Sequence, residues 1–111
     1  MKVPIVAGTD AGFVGVIPGF DLHNELRLLV EEAGASNLQA LQSATILPAK
    51  MHKLKKFGNV AEGFYADFLV LNSNPLKNIN ATKDIHMIVS NGETLNSKQI
   101  KQLKDECKNL N

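Results

Sequence analysis

Asp10 stands where the apolar run Val3-Pro4-Ile5-Val6-Ala7 gives way to Gly8-Thr9-Asp10-Ala11-Gly12. A carboxylate at the end of such a run is either a reacting group facing an open mouth or an aspartate that ties a loop or caps a helix. Thirteen residues on, His23 offers an imidazole within hydrogen-bonding distance of anything bound nearby, or else a solvent-facing or capping side chain. Glu25 suits the start of a helix, where an acid is favoured by the positive end of the dipole. Asp67 precedes the apolar run Phe68-Leu69-Val70-Leu71, and its oxygens can accept backbone amides there, so a structural role is assigned to it.

Other candidate groups carry less chemistry. The stretch from Gly8 to Gly19 holds Gly8, Gly12, Gly15, Gly19 and Pro18, but it has no Gly-Lys-Ser/Thr and fits neither a Walker loop nor a dinucleotide fingerprint. A substrate loop or lid is the better reading. Lys53, Lys55 and Lys56 suit a solvated helix end, and Cys107 falls on the apolar stripe of a helix, which points to core or interface packing rather than redox chemistry.

The elements that would hold these groups can be read from periodicity and breakers. Residues 3 to 9 lack polar alternation, as in a strand covered on both faces, and Pro4 at the start costs no needed N–H. Asp21 is expected to cap a helix carrying Leu22, Leu26, Leu29, Val30 and Ala33, which Gly34 ends. Ser36 and Gln39 form a capping-box pattern for a second helix, and Pro48 suits the first turn of a third with Met51 and Leu54. Beyond Lys56 the pattern turns β-rich. Phe68 to Leu71 and Ile85 to Ser90 read as strands, and Asn91-Gly92 as a tight hairpin turn into Glu93-Thr94-Leu95. Ser97 is expected to cap a last helix with Ile100, Leu103, Cys107 and Leu110 on one side, and Lys98, Lys101, Lys104 and Lys108 toward water.

Composition bounds the rest. A chain of 111 residues, 44% hydrophobic and 21% charged, supports one modest core and hides roughly 65% of its unfolded surface. Twelve basic and eleven acidic residues leave a net charge of +1, too little for a nucleic-acid or anionic-membrane partner. No apolar stretch reaches the roughly 20 residues of a membrane span. A single cysteine and no visible signal peptide favour a reducing, cytoplasmic setting.

Gly8-Thr9-Asp10-Ala11-Gly12, Leu22-His23-Asn24-Glu25-Leu26, Leu41-Gln42-Ser43-Ala44-Thr45 with Pro48-Ala49, and Ala66-Asp67-Phe68-Leu69-Val70-Leu71 with Asn74-Pro75-Leu76 occur in an order that resembles the C-terminal third of metal-dependent amidohydrolases, closest to the imidazolonepropionase-like and Xaa-Pro-dipeptidase-like branch. The likeness spans residues 3 to 93. It implies an α/β fold: the C-terminal part of a (β/α)8 barrel plus part of the family's β-sandwich. Residues 1–56 would be the last strand, active-site loop and following helices, 57–96 the sandwich portion, and 97–111 a C-terminal helix. In such barrels reacting groups gather at the C-terminal mouth.

By the same resemblance Asp10 is the catalytic aspartate. It contacts a divalent metal, zinc, and takes a proton from the attacking water to return it to the leaving amine. His23 is the substrate-side candidate. The implied substrates are amides, dipeptides or cyclic amides. The family's other ligands are a His-x-His pair, a mid-barrel lysine or glutamate and two further histidines, and His23, His52 and His86 do not match them by spacing. The expectation is therefore a chain that holds no metal and is inactive alone. It docks on a missing N-terminal barrel portion or self-associates as a dimer or swapped oligomer. The alternatives are a non-catalytic interaction module and one half of a split enzyme.

Overall fold

The computed structural model describes residues 3–10 and 19–109. In chain order the elements are α1 (Asp21–Glu31), α2 (Asn37–Ser43), α3 (Ile46–Met51), β1 (Phe68–Leu71), a 3-10 turn (Ile79–Lys83), β2 (Ile85–Ser90), β3 (Glu93–Asn96) and α4 (Ser97–Lys108). The three strands form one antiparallel sheet in the order β1-β2-β3. Gly12, Gly15 and Pro18 of the expected substrate loop, and Leu110 of the last helix, lie outside the described residues.

Leu26 of α1 is buried against Ala40 and Ile79, with Ala7, Leu29, Val30, Leu41 and Ala44 packed around them. This is the helical stripe read from the sequence, covered by α2 on one side and the 3-10 turn on the other. The start of α1 differs from expectation. Phe20 is already helical at φ −71° and ψ −42°, so Asp21 lies inside the first turn instead of capping it. Its carboxylate accepts from the Asn24 side-chain amide at 2.9 Å. After the helix, Gly34 at φ +73° turns the chain, and the Ala35 N–H returns to the Leu29 carbonyl at 2.9 Å.

α2 starts as its sequence predicts. Ser36 Oγ accepts the Gln39 N–H at 3.1 Å while the Ser36 N–H donates to Gln39 Oε1 at 2.8 Å, so two amides without helical partners are satisfied. Pro48 lies in the first turn of α3, but that helix stops at Met51 and Leu54 falls beyond it. Lys53 at φ 58° breaks the helical path there.

In the sheet, Phe68 pairs with Val89, Leu69 with Ile88 and Val70 with Met87, and a register shift follows between Val70 and Leu71. Asn91 and Gly92, at φ 51° and 79°, form the two-residue turn between β2 and β3, whose paired positive φ values match the twist of the strands. Asp67 Oδ1 accepts the Asn91 N–H at 2.6 Å, so its oxygen holds the hairpin turn, the structural task its position suggested.

α4 is capped by Asn96 rather than Ser97. The Asn96 side chain accepts from Gln99 N–H at 3.0 Å and the Gln99 side chain accepts the Asn96 N–H at 2.9 Å. Ile100 is buried against the sheet side of the helix. The stripe expected beyond it is not covered within this chain: Leu103 is 48% exposed and Cys107 is exposed, so core packing of that thiol is excluded here and interface packing is the part of the expectation left. Lys104 is not a free surface cation. Its ammonium lies 5.4 Å from the centre of the Phe20 ring, half-buried.

Candidate functional site

Residues 3–10, which lead to Asp10, join no ladder among the described residues. An extended, apolar segment becomes a strand only when neighbours take its amides and carbonyls. Here the segment is fixed at a few points instead. Ala7 packs on the core, its N–H donates to the Ser43 carbonyl at 2.9 Å, and the Gly8 N–H donates to Glu25 Oε1 at 3.4 Å. Ser43 is itself buried, its hydroxyl donating to the Ala40 carbonyl at 2.6 Å. Two residues past this clasp, Asp10 is exposed with φ 54°. Left-handed backbone is uncommon outside glycine, and aspartate is among the residues that tolerate it. A strained conformation at an exposed carboxylate is the kind of outlier that collects at functional positions.

His23 is held by the opposite end of the described core. Its Nδ1 lies 3.1 Å from Thr82 Oγ1, and the Thr82 hydroxyl donates to the Ile79 carbonyl at 3.0 Å. The hydroxyl has one proton, already committed, so the ring donates from Nδ1–H and its Nε2 is left as an acceptor. One helical step away, Lys83 Nζ donates to Asn24 Oδ1 at 3.0 Å. These bonds join α1 to the 3-10 turn.

Burial lowers the His23 pKa from 6.5, and the nearby Lys83 and Lys104 ammoniums lower it further. The folded state thus binds the proton less tightly than the unfolded chain does. His23 then contributes stability that is present above pH 6.5 and lost as pH falls through the depressed folded value. Urea unfolding between pH 4.5 and 7.5 should show wild type losing stability on the acid side relative to His23→Gln; parallel curves for the two proteins would refute the assignment.

An apolar cleft of about 490 Å³ lies between α1, α2 and the sheet, lined by Leu22, His23, Leu26, Leu41, Phe68 and Thr82 among others. A second, of about 230 Å³, lies under residues 3–5 against α2. Asp10 lines neither, and no hydrogen bond joins it to His23 among the described residues. The two sequence candidates are therefore placed by separate anchors rather than in one pocket. No three His, Cys, Asp or Glu side chains gather to hold a metal ion among the described residues, so this donor set does not by itself fit one. Nor is any described helix long and apolar enough to cross a membrane.

Glu25 belongs to the second turn of α1, not the first, and its use as an acceptor for Gly8 was not anticipated. A signal existed. Glu25 lies three residues after Leu22 and four before Leu29, so a charge stands in the apolar seam of the helix.

The model of the amidohydrolase family matches residues 1–95. A crystal structure of a prolidase-like protein from Bifidobacterium longum is similar at 33% identity and a TM-score of 0.76, covering 94% of this chain and 27% of that one. A solved amidohydrolase matches at 29% identity and a TM-score of 0.60, over 67% of this chain and 19% of the other. The chain thus spans between about a fifth and just over a quarter of these two solved structures. No curated protein matches it.

Proposed function

The chain belongs to the amidohydrolase family, and on that premise we propose that it forms the C-terminal part of a hydrolase that cleaves carbon–nitrogen bonds in amides, dipeptides or cyclic amides. Residues 1–56 supply the last barrel strand, the active-site loop and the helices after it. Residues 57–96 supply sandwich strands and 97–111 the closing helix. The observation that carries this reading is Asp10: an exposed carboxylate in left-handed backbone, within the family-matched region, at the end of an anchored extended segment. In this role its carboxylate accepts a proton from the attacking water and delivers it to the departing amine. A divalent metal, zinc in this reading, would be held in the complete enzyme by Asp10 together with ligands from outside the described residues. His23 uses Nδ1 to fix α1 and offers Nε2 to the substrate side. The setting is cytoplasmic.

The surface supports docking onto a larger body. Val60 is 74% exposed, Val3 70%, Met51 59% and Leu76 54%, and β1 and β3 each leave one ladder edge unpaired within the sheet. Residues 3–10 in particular have the composition of a buried strand without the ladder. Alone, the chain is expected to associate with itself; with a barrel polypeptide carrying the remaining ligands it is expected to form a stoichiometric complex that binds metal and hydrolyses a panel of dipeptides and N-acyl amino acids. A stable, metal-loaded complex that cleaves no C–N bond would overturn the proposal in favour of an interaction module.

A further inference from the structure

We propose that Glu25 is a positioning residue for Asp10, acting through the amide of Gly8; this rests on the catalytic reading of Asp10. The backbone before Asp10 has no ladder among the described residues, so within this chain what fixes it is local. Ala7 is secured by its side chain in the core and by the Ser43 carbonyl, whose own residue is buried. Downstream of Ala7, the Glu25 carboxylate on the Gly8 N–H is the last hydrogen bond to the segment before Asp10 among the described residues. Its partner is not required for shape. Gly8 is not among the residues of positive φ, and a Cβ there would meet nothing within 4 Å, so its amide, rather than its lack of a side chain, is what the structure uses.

A carboxylate is a stronger acceptor for an amide than a neutral oxygen. It also suits this place geometrically. Glu25 rises from the second turn of α1, whose neighbouring residue Leu26 is buried in the core, so the acceptor is mounted on a rigid support. Asp10, by contrast, is exposed and two residues further along the chain. A reacting group displaced by about 1 Å can lose on the order of 100-fold in rate. Removing the Glu25 acceptor should therefore reduce turnover without touching the group that turns over.

The structural arm uses the 111-residue chain and amide NMR. In wild type, the Gly8 amide proton shift should follow protonation of the Glu25 carboxylate. In Glu25→Gln that titration should disappear while the amide stays protected from exchange, and in Glu25→Ala the protection should fall about tenfold or more. A Gly8 amide whose shift and exchange are the same in all three proteins overturns the inference.

The functional arm uses the assembled enzyme. Glu25→Ala should lower kcat about tenfold or more with KM within about twofold, and Glu25→Gln should restore most of it. Unchanged kcat in Glu25→Ala also overturns the inference. The two readings fail separately: if Asp10→Asn leaves turnover intact, the role of Asp10 is wrong whatever the Gly8 amide reports, whereas loss in Asp10→Asn with none in Glu25→Ala removes Glu25 alone.

Discussion

Asp10→Asn in the assembled enzyme is expected to lower kcat/KM by about 10²–10⁴-fold, the range associated with removing a positioned proton-transfer group. The substitution is well suited to isolate chemistry. Asp10 is exposed, so no buried contact is lost, and asparagine tolerates the left-handed backbone at φ 54° as aspartate does. The change removes the negative charge and the ability to accept a proton while keeping size and hydrogen-bonding shape. Stability of the 111-residue chain, read by urea unfolding, should therefore stay within about 0.5 kcal/mol of wild type, as for surface substitutions generally. Steady-state kinetics on the complex decides the matter. Activity within a few-fold of wild type would remove Asp10 from the reaction and return it to the status of a loop aspartate.

Gly58→Ala should be the most damaging conservative change to the fold. Gly58 has φ +80°, and a Cβ built on it would lie 2.5 Å from the Thr45 carbonyl oxygen, 2.8 Å from its carbon and 3.0 Å from the Ala49 Cβ. Two of these three are backbone atoms at the start of α3, which cannot swing aside as a side chain would. The positive φ costs alanine about 1–2 kcal/mol, and forcing the chain away from α3 adds about 1–3 kcal/mol, for a total of about 2–5 kcal/mol. Domains are typically stable by roughly 5–15 kcal/mol, so this is a large share. Gly34→Ala separates the two contributions. Gly34 shares the positive φ, at +73°, but nothing lies within 4 Å of its Cβ position. Its loss should be confined to the backbone part, about 1–2 kcal/mol. Equal denaturation midpoints for the two variants would show that the contact with Thr45 is not tight in solution.

The segment around Gly58 also illustrates what is hidden in a sequence. Phe57-Gly58 reads as punctuation between a helical half and a β-rich half, and nothing local says that the glycine is pressed against α3. Phe57 stacks on Tyr65 with ring centres 4.6 Å apart, and the Tyr65 N–H donates to the Lys56 carbonyl at 2.9 Å. Those contacts fold the stretch back on itself. A close approach between residues 13 apart is a property of the packed chain, and composition carries no trace of it.

Caps and periodicities were more legible, with instructive misses. Ser36 with Gln39 and Asn91 with Gly92 act within a few residues of themselves, so their geometry is written locally and both form as expected. Asp21 and Ser97 have the right residue type for a cap, yet Phe20 and Asn96 occupy those positions. One residue of slip is enough, because helix starts are decided by where the apolar face meets its partner as well as by the capping oxygen. Leu103 and Cys107 continue the stripe of Ile100, but a stripe states only that a face is apolar, not that something in the same chain covers it.

The sequence by itself determined the family, through motifs in a fixed order, together with the helices and hairpin whose signals are local. Tertiary structure decided how Asp10 is held. Residues 3–10 have the composition of a strand, but strand formation depends on hydrogen bonds from neighbours, and here Ser43 and Glu25 take the amides of Ala7 and Gly8 instead. His23 was likewise legible as a chemical group and not as a tautomer. That was fixed only when Thr82, 59 residues away in the chain, brought to its ring a hydroxyl whose one proton was already given to Ile79. Short-range signals survive in a single sequence because their partners are adjacent in it; the proton and backbone positions of a site depend on partners that only folding brings near.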